Sequence, residues 1–152
     1  MKLQDGRLAS GGDDGSIIIY NKQSFTPELT IKEHKDGIYN IIQLKNGNLL
    51  SCSRDEQTMK EYKINESNTY KVLSTVNFID YNYPRQIVEL EDNKIGLVAY
   101  NCIIFYLNIN NNLNKDFSIV YNYETGEYFE MILVKPGELA ILGVKIKFNF
   151  LK

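Results

Sequence analysis

The sequence is poor in the residue types on which most metal and redox sites depend. It has no Trp, a single His (His34) and only two Cys, Cys52 and Cys102, which lie far apart. Two cysteines without a CxxC spacing do not make a disulfide framework. One His, two distant Cys and scattered carboxylates are also too few ligands for zinc. The sequence therefore predicts no metal and no cofactor, and both cysteines are expected to be small core residues.

Charge of one sign and long apolar runs are also scarce. The 17 Lys and Arg nearly balance the 19 Asp and Glu, which leaves a net charge of −2. That charge is too small to attract nucleic acid or an anionic membrane, and few of the basic residues are Arg, the better phosphate ligand. No segment reaches the roughly 18 apolar residues of a membrane span, and no signal peptide heads the chain. We expect a soluble, cytoplasmic protein that binds neither nucleic acid nor a membrane.

A repeated unit is what the sequence does contain. Four segments share an apolar residue, a polar residue, a turn pair and a short apolar run. They read LQDGRLAS from Leu3, LKNGNLLS from Leu44, LEDNKIGL from Leu90 and VKPGELAI from Val134. Asp-Gly and Asn-Gly pairs tolerate the positive φ angles of tight hairpin turns. A strand-turn-strand unit that recurs at a period of roughly 40–45 residues is typical of β-propeller blades.

Further runs rich in β-branched and aromatic residues lie between these segments, and no window shows a helical period. The runs 38–44, 85–90 and 128–134 are predicted inner strands, and the runs 26–32, 70–76 and 117–123 are predicted outer strands. The polar, Asn-rich stretch 108–116 is predicted to be a long loop between two outer strands.

The sequence thus predicts an all-β fold, a β-propeller-like arc of about three and a half four-stranded blades. We expect one domain over residues 1–152. Its predicted parts are a partial first blade (1–32), two full blades (33–76 and 77–123) and a partial fourth blade (124–152).

The first two units resemble WD repeats. The segments EHKDGI, SCSRD and SGGDD supply the His, Ser and Asp positions of that pattern, although Glu33 replaces its usual glycine. The matching residues are His34, Ser51 and Asp55 in the second unit, Ser10 and Asp14 in the first, and Tyr20 and Tyr62 in place of the Trp. The resemblance covers residues 1–64, and beyond them it is architectural only.

In WD repeats, these side chains form a hydrogen-bonded network that ties an outer loop to the blade. The resemblance therefore implies a structural network of His34, Ser51, Asp55 and Tyr62 in the second blade. It implies three members of such a network, Ser10, Asp14 and Tyr20, in the first blade. The neighbouring Ser, His and Asp also look like a nucleophilic constellation, but we interpret them as structural and predict no catalytic residue and no enzyme.

The expected function follows from the fold. WD-repeat propellers imply a protein–protein interaction scaffold that binds through loops on one propeller face. The candidate partner-binding residues on that face are Lys35, Asp36, Arg54, Glu56, Tyr81, Tyr83 and Arg85. The aromatic connection that contains Tyr81 and Tyr83 either fills a gap between blades or binds a partner.

An arc of this size also leaves a ring open. The alternative function is a structural assembly subunit that closes a ring by homodimerisation or with another chain. A fragment of a longer protein would look the same in sequence, so these alternatives stay open here.

Overall fold

The computed structural model describes residues 1–53, 56–77, 84–90, 94–99, 102–109, 112–120, 131–135, 138–141 and 144–147, with burial and side-chain contacts up to residue 98. Within these ranges the chain consists of fourteen strands joined by turns. No helix in the described ranges is long and apolar enough to cross a membrane.

The strands form four antiparallel meanders that follow one another along the chain. Sheet 1 contains β1 (Leu8–Gly11), β2 (Ile17–Tyr20) and β3 (Pro27–Ile31). Sheet 2 contains β4 (Ile38–Gln43), β5 (Leu49–Ser53), β6 (Thr58–Ile64) and β7 (Tyr70–Asn77). Sheet 3 contains β8 (Pro84–Glu89), β9 (Lys94–Ala99), β10 (Cys102–Ile109) and β11 (Asn112–Val120). Sheet 4 contains β12 (Met131–Lys135), β13 (Glu138–Ile141) and β14 (Val144–Lys147). The all-β, propeller-like arc is confirmed.

The prediction of a long loop over residues 108–116 is wrong. Strand β10 continues to Ile109, and β11 starts at Asn112, so most of the stretch is paired. Asn108 lies opposite Leu113, and Ile109 lies opposite Asn112. The ladder is made by backbone N–H and C=O groups, so a strand at the outer edge of a sheet needs no apolar side chains to form.

The turn glycines of the first two units have the conformation that their sequence predicts. Gly6 and Gly47 have φ angles of +92° and +87°. Each donates its N–H to the carbonyl three residues earlier, Leu3 and Leu44, at 3.0 and 2.9 Å. The positive φ explains the glycine, since other residues rarely adopt this conformation. The matching turns of the third and fourth units lie outside the described residues.

Strand β5 is the centre of the described core, and all five of its residues are buried. Successive side chains of a strand point to opposite faces. Leu49 accordingly belongs to one buried cluster with residues of sheet 1, such as Ile17 and Ile19. Leu50 and Cys52 belong to a second cluster with residues of sheet 3. Sheet 2 is therefore packed between its two neighbours in the manner of stacked sheets.

Cys52 is a core residue, as the composition predicts. Its side chain is fully buried, and burial raises the pKa of its thiol to about 12. A thiol in this state is not a nucleophile near neutral pH. The side chain of Cys102 lies outside the described residues.

Candidate functional site

Three loops meet on one side of sheets 1 and 2, and we call this side the loop face. It comprises residues 12–16 between β1 and β2, residues 32–37 between β3 and β4, and residues 56–57 before β6. The N–H of Ile38 donates to the carbonyl of Gly12 at 3.0 Å, and the hydroxyl of Ser53 donates to the carbonyl of Asp36 at 3.2 Å. The loop before the inner strand and the loop between the second and third strands therefore share a face.

His34 is the buried centre of the loop face, and its side chain has no exposed surface. Its Nε2 lies 2.7 Å from Ser51 Oγ. Its Nδ1 lies 2.9 Å from Glu56 Oε2 and 3.1 Å from Thr58 Oγ1. Burial lowers the pKa of His34 more than the Glu56 carboxylate raises it. A neutral ring that donates from Nδ1 to the carboxylate and accepts at Nε2 from the serine satisfies this network.

The carboxylate in this network belongs to Glu56. Burial raises its pKa, but hydrogen bonds from His34, from the backbone N–H of Lys35 and from Lys60 outweigh burial and lower the pKa to about 2. The Lys60 ammonium also donates to the carbonyl of Glu33. Glu56 was predicted among the partner-binding residues; its carboxylate is largely buried and accepts hydrogen bonds from the loop before β4 and from Lys60 in β6. Asp55, predicted for the network, lies outside the described residues.

Acid is expected to weaken the fold in two steps. His34 binds a proton less readily in the folded chain than in the unfolded chain, so the free energy of unfolding should fall as pH drops below about 6.5. The pKa of Glu56 is lowered from 4.5 to about 2, so its contribution to the free energy of unfolding should be lost between those pH values.

Urea titrations at a series of pH values measure both steps. His34→Gln should lack the first step, and Glu56→Gln should show a smaller second step. A fold that became more stable between pH 7 and 5 would contradict this account.

Tyr62 fills the Trp position of the WD pattern by packing. It is fully buried, and its ring makes edge contacts with His34 at 6.4 Å and with Tyr70 at 6.3 Å between ring centres. Burial raises the pKa of the Tyr62 hydroxyl, and the nearby Ser51 hydroxyl opposes that rise. No partner among the described residues reaches the Tyr62 hydroxyl with normal hydrogen-bond geometry. The described hydrogen bonds therefore stop short of Tyr62.

Removal of the Tyr62 hydroxyl should therefore cost little. Tyr62→Phe is expected to leave the free energy of unfolding unchanged or to raise it by up to about 1 kcal/mol, since a buried hydroxyl without a partner opposes folding. The matched control is Tyr70→Phe, which removes a hydroxyl that donates to Glu33 at 2.8 Å. That variant should lose about 1 kcal/mol. Chemical denaturation compares the two, and an equal loss in both would mean that Tyr62 is hydrogen-bonded.

In sheet 1, the three predicted residues do not form one network. Ser10 Oγ lies 3.2 Å from Tyr20 Oη at an exposed position. The Asp14 carboxylate instead accepts hydrogen bonds from the hydroxyl of Ser16 at 2.6 Å and from its N–H at 3.1 Å. These two bonds lower the pKa of Asp14. An Asp in a turn readily bonds the backbone two residues on, and here that local bond is the one formed.

Of the remaining predicted partner-binding residues, Lys35, Asp36 and Arg85 lie in the described part of the chain. Lys35 is exposed and Asp36 is half-buried, with its Oδ1 accepting from the N–H of the next residue at 2.7 Å. Arg85, on β8, donates to Tyr39 Oη on β4 at 3.4 Å. Tyr39 is 44% exposed and was not predicted; its sequence signal is an aromatic residue at an outward position of an alternating strand. Arg54, Tyr81 and Tyr83 lie outside the described residues.

The connection from Ser51 through His34 to Glu56 has the order of a hydrolase triad. Ser51 is fully buried among the described residues, however. The two described clefts, of about 460 and 240 Å³, are lined by neither Ser51 nor His34. The geometry suits a structural role, in which hydrogen bonds of the neutral His34 join the loops to the strands inside the fold.

Solved structures similar to this chain include a β-propeller domain and a WD40 domain. A chain of a mitotic checkpoint complex superposes with a TM-score of 0.72 at 16% identity, over 94% of this chain and 45% of that one. The C-terminal WD40 domain of Sif2 gives 0.68 at 14% identity, over 92% and 41%. The β-propeller domain of Cps50 (Swd1) from Myceliophteria thermophila gives 0.65 at 8% identity, over 78% and 39%. This chain thus spans less than half the length of each.

Sequence comparison adds little to this. No family model matches the chain. A UPF0102 protein of Campylobacter fetus subsp. fetus (strain 82-40) is 28% identical over 88 residues, which cover 54% of this chain and 72% of that protein. That identity is too low and too local to show a shared family. The chain has the fold of part of a β-propeller like those of WD40 proteins, and the likeness shows the fold alone.

Proposed function

We propose that this chain is a protein–protein interaction scaffold of the WD-repeat type that binds a partner through the loop face. The observation that carries the proposal is the His34 network. Ser51 is hydrogen-bonded to His34, and Glu56 accepts from His34 and from the N–H of Lys35, so the loop before β4 is held from inside. Lys35 and Tyr39 stay exposed at its surface. Loops fixed before binding lose less conformational entropy when a partner docks.

The side chains at this surface are of types that contribute strongly to binding. Tyr and Arg are enriched among the residues that dominate interface energies. Tyr39 on sheet 2 and Arg85 on sheet 3 contact each other across the two sheets, so a partner seated on them would span both. Lys35 and Asp36 supply one charge of each sign beside them, which favours a partner of mixed charge over a polyanion.

A binding role is proposed here in preference to a catalytic one. The neutral His34 and the buried Ser51 are used to hold the loops. If the chain were an enzyme that used His34, His34→Ala would abolish turnover in a variant that still folds. The binding proposal instead expects His34→Ala to lower stability.

The test is selection of peptides from a random phage-displayed library on the whole chain. Peptides that bind should lose about tenfold or more in affinity for Tyr39→Ala and for Lys35→Glu, as residues at the centre of an interface do. The matched controls are Phe25→Ala and Lys63→Glu. Phe25 is an exposed aromatic residue and Lys63 an exposed cation, both toward the opposite end of the strands. Equal affinities for all four variants, or larger losses in the controls, would overturn the proposal.

The second candidate function is a structural assembly subunit that closes a ring with a second copy or with another chain. It is favoured by the short span of this chain relative to the propellers it resembles. Light scattering over a range of concentrations tests it, since a particle of twice the monomer mass would support closure by a second copy. A monomer at every concentration would exclude closure by a second copy.

A further inference from the structure

Four places in the sequence join Asp or Asn to Gly, and all four lie in described turns or loops. They are Asp5-Gly6, Asp14-Gly15, Asp36-Gly37 and Asn46-Gly47. Such pairs are chemically labile, since a glycine has no side chain to hinder attack of its backbone nitrogen on Cγ of the preceding residue. The attack closes a five-membered succinimide ring. In a folded chain its rate depends on how close that nitrogen and that carbon are held.

Three of the four pairs have their side chain bonded away from the glycine. The Oδ1 atoms of Asp5, Asp14 and Asn46 accept hydrogen bonds from the backbone N–H two residues on, at 3.0, 3.1 and 2.9 Å. Each glycine N–H donates instead to the carbonyl three residues before it, at 3.0, 3.2 and 2.9 Å. Both reacting groups are thus engaged in the turn. Closure of the ring at these pairs requires the turn to open first.

The Asp36-Gly37 pair is arranged differently. Asp36 Oδ1 accepts from the N–H of Gly37, the next residue, at 2.7 Å. This bond closes a seven-membered ring that contains Cγ, so it holds the Gly37 nitrogen beside the carbon that it would attack. Proximity of this kind is what an intramolecular reaction requires. Both residues are only half-buried, so solvent water reaches the pair.

We propose that Asp36 is a site of spontaneous modification, at which the chain rearranges to isoaspartate while the other three pairs are protected by their turns. The Gly37 nitrogen bonds to Cγ of the neutral carboxyl, and the N–H hydrogen leaves with the carboxyl OH as water. A second water then adds to one carbonyl of the succinimide and breaks the bond from that carbon to the nitrogen. Opening at Cγ restores aspartate, and opening at the other carbonyl gives isoaspartate. One water is lost and one is gained, so no further reactant is needed.

The product would alter the loop before β4 from within. In isoaspartate the main chain runs through Cβ and Cγ, which adds one carbon to the backbone and turns the former backbone carbonyl into a carboxylate. At Asp36 that carbonyl accepts from the Ser53 hydroxyl at 3.2 Å. The N–H of Ile38, two residues on, donates to Gly12 at 3.0 Å. Rearrangement would therefore move the start of β4 relative to the loop of sheet 1. The proposal concerns the backbone alone and does not rest on partner binding.

The test compares the same dipeptide at two positions of one molecule. Asp36→Asn places an Asn-Gly pair in this loop beside the natural Asn46-Gly47 pair. Asn exchanges ammonia for water in the conversion, so mass spectrometry of proteolytic peptides measures both rates at one pH. Because the turn at Asn46 must open first, position 36 should convert at least about tenfold faster than Asn46 in the folded variant. In urea, where neither arrangement persists, the two rates should be similar.

The natural chain gives a second measurement that does not depend on the folding of the variant. Isoaspartate and aspartate have equal mass, but electron-transfer fragmentation distinguishes them. During storage of the folded chain, isoaspartate should accumulate at position 36 ahead of Asp5 and Asp14, and this preference should vanish in urea.

Two results would overturn the proposal. The first is conversion of Asn46 as fast as that of position 36 in the folded variant. The second is isoaspartate at Asp5 or Asp14 in amounts equal to or greater than at Asp36 in the folded natural chain.

Discussion

Gly15→Ala is expected to destabilise the folded chain by about 3 kcal/mol, the sum of two kinds of strain. Gly15 has a φ angle of +76°, which L residues with a Cβ rarely adopt. A Cβ at this position would also lie 2.5 Å from the carbonyl oxygen of His34 and 3.0 Å from that of Asp36. Both oxygens belong to the backbone of the loop face, so neither can move without displacing the loop that the His34 network holds. Chemical denaturation measures the loss.

Substitutions at two other glycines separate the strain of the positive φ angle from the steric clash of the new Cβ. Gly47 has a φ angle of +87°, but a Cβ there meets only Gln4 Oε1 at 3.9 Å. Gly47→Ala therefore reports the conformational strain alone, about 1–2 kcal/mol. At Gly12 the nearest atom to a new Cβ is the movable Asp14 carboxylate at 2.6 Å, so Gly12→Ala should cost less than Gly15→Ala. A Gly15 variant no less stable than the Gly47 variant would show that the two loops are not in this close contact.

His34→Ala should lower the free energy of unfolding by about 1–3 kcal/mol, as is usual when a buried hydrogen-bond network loses a member. The change leaves the Ser51 hydroxyl and one face of the Glu56 carboxylate without their partner. It also removes the ring against which Tyr62 packs. Urea denaturation measures this loss directly, and thermal unfolding provides a second readout.

The control for His34→Ala is Lys35→Ala, since Lys35 is the next residue and its side chain is exposed. That variant should keep its stability to within about 0.5 kcal/mol. Binding of the selected peptides by His34→Ala should be unchanged once the folded fraction is taken into account. If His34→Ala were as stable as Lys35→Ala, the buried position of His34 would be wrong.

Spacing along the chain was enough to predict the strands of the first two units, and of their networks the pairs His34–Ser51 and Ser10–Tyr20. Turn pairs such as Asn46-Gly47 have few alternatives in backbone conformation, so their hairpins follow from local chemistry. The pairing of His34 with Ser51 follows from the WD pattern and appears at 2.7 Å. The failure at 108–116 has the opposite cause. Polar side chains suggested a loop, but pairing of the stretch with its neighbour depends on backbone groups that are the same in every residue.

The carboxylate partner of His34 was beyond sequence reasoning. The WD pattern points to Asp55, which lies outside the described residues, and gives no signal for Glu56. The carboxylate of Glu56 turns toward His34 and Lys60 because both can donate to it. The partner of Asp14 was not predicted either, because Ser16, two residues further on, donates a local hydrogen bond to it.

The repeat was the feature that the sequence determined by itself. A periodic series of turn pairs and apolar runs leaves few folds other than stacked antiparallel meanders, because each meander must bury its faces against another. Tertiary structure decided which groups are left without a partner. Among the described residues, the Tyr62 hydroxyl has no hydrogen-bond partner of normal geometry, whereas Ser51 and Glu56 both reach His34. Such pairings depend on distances between segments remote in sequence, which local propensity does not encode.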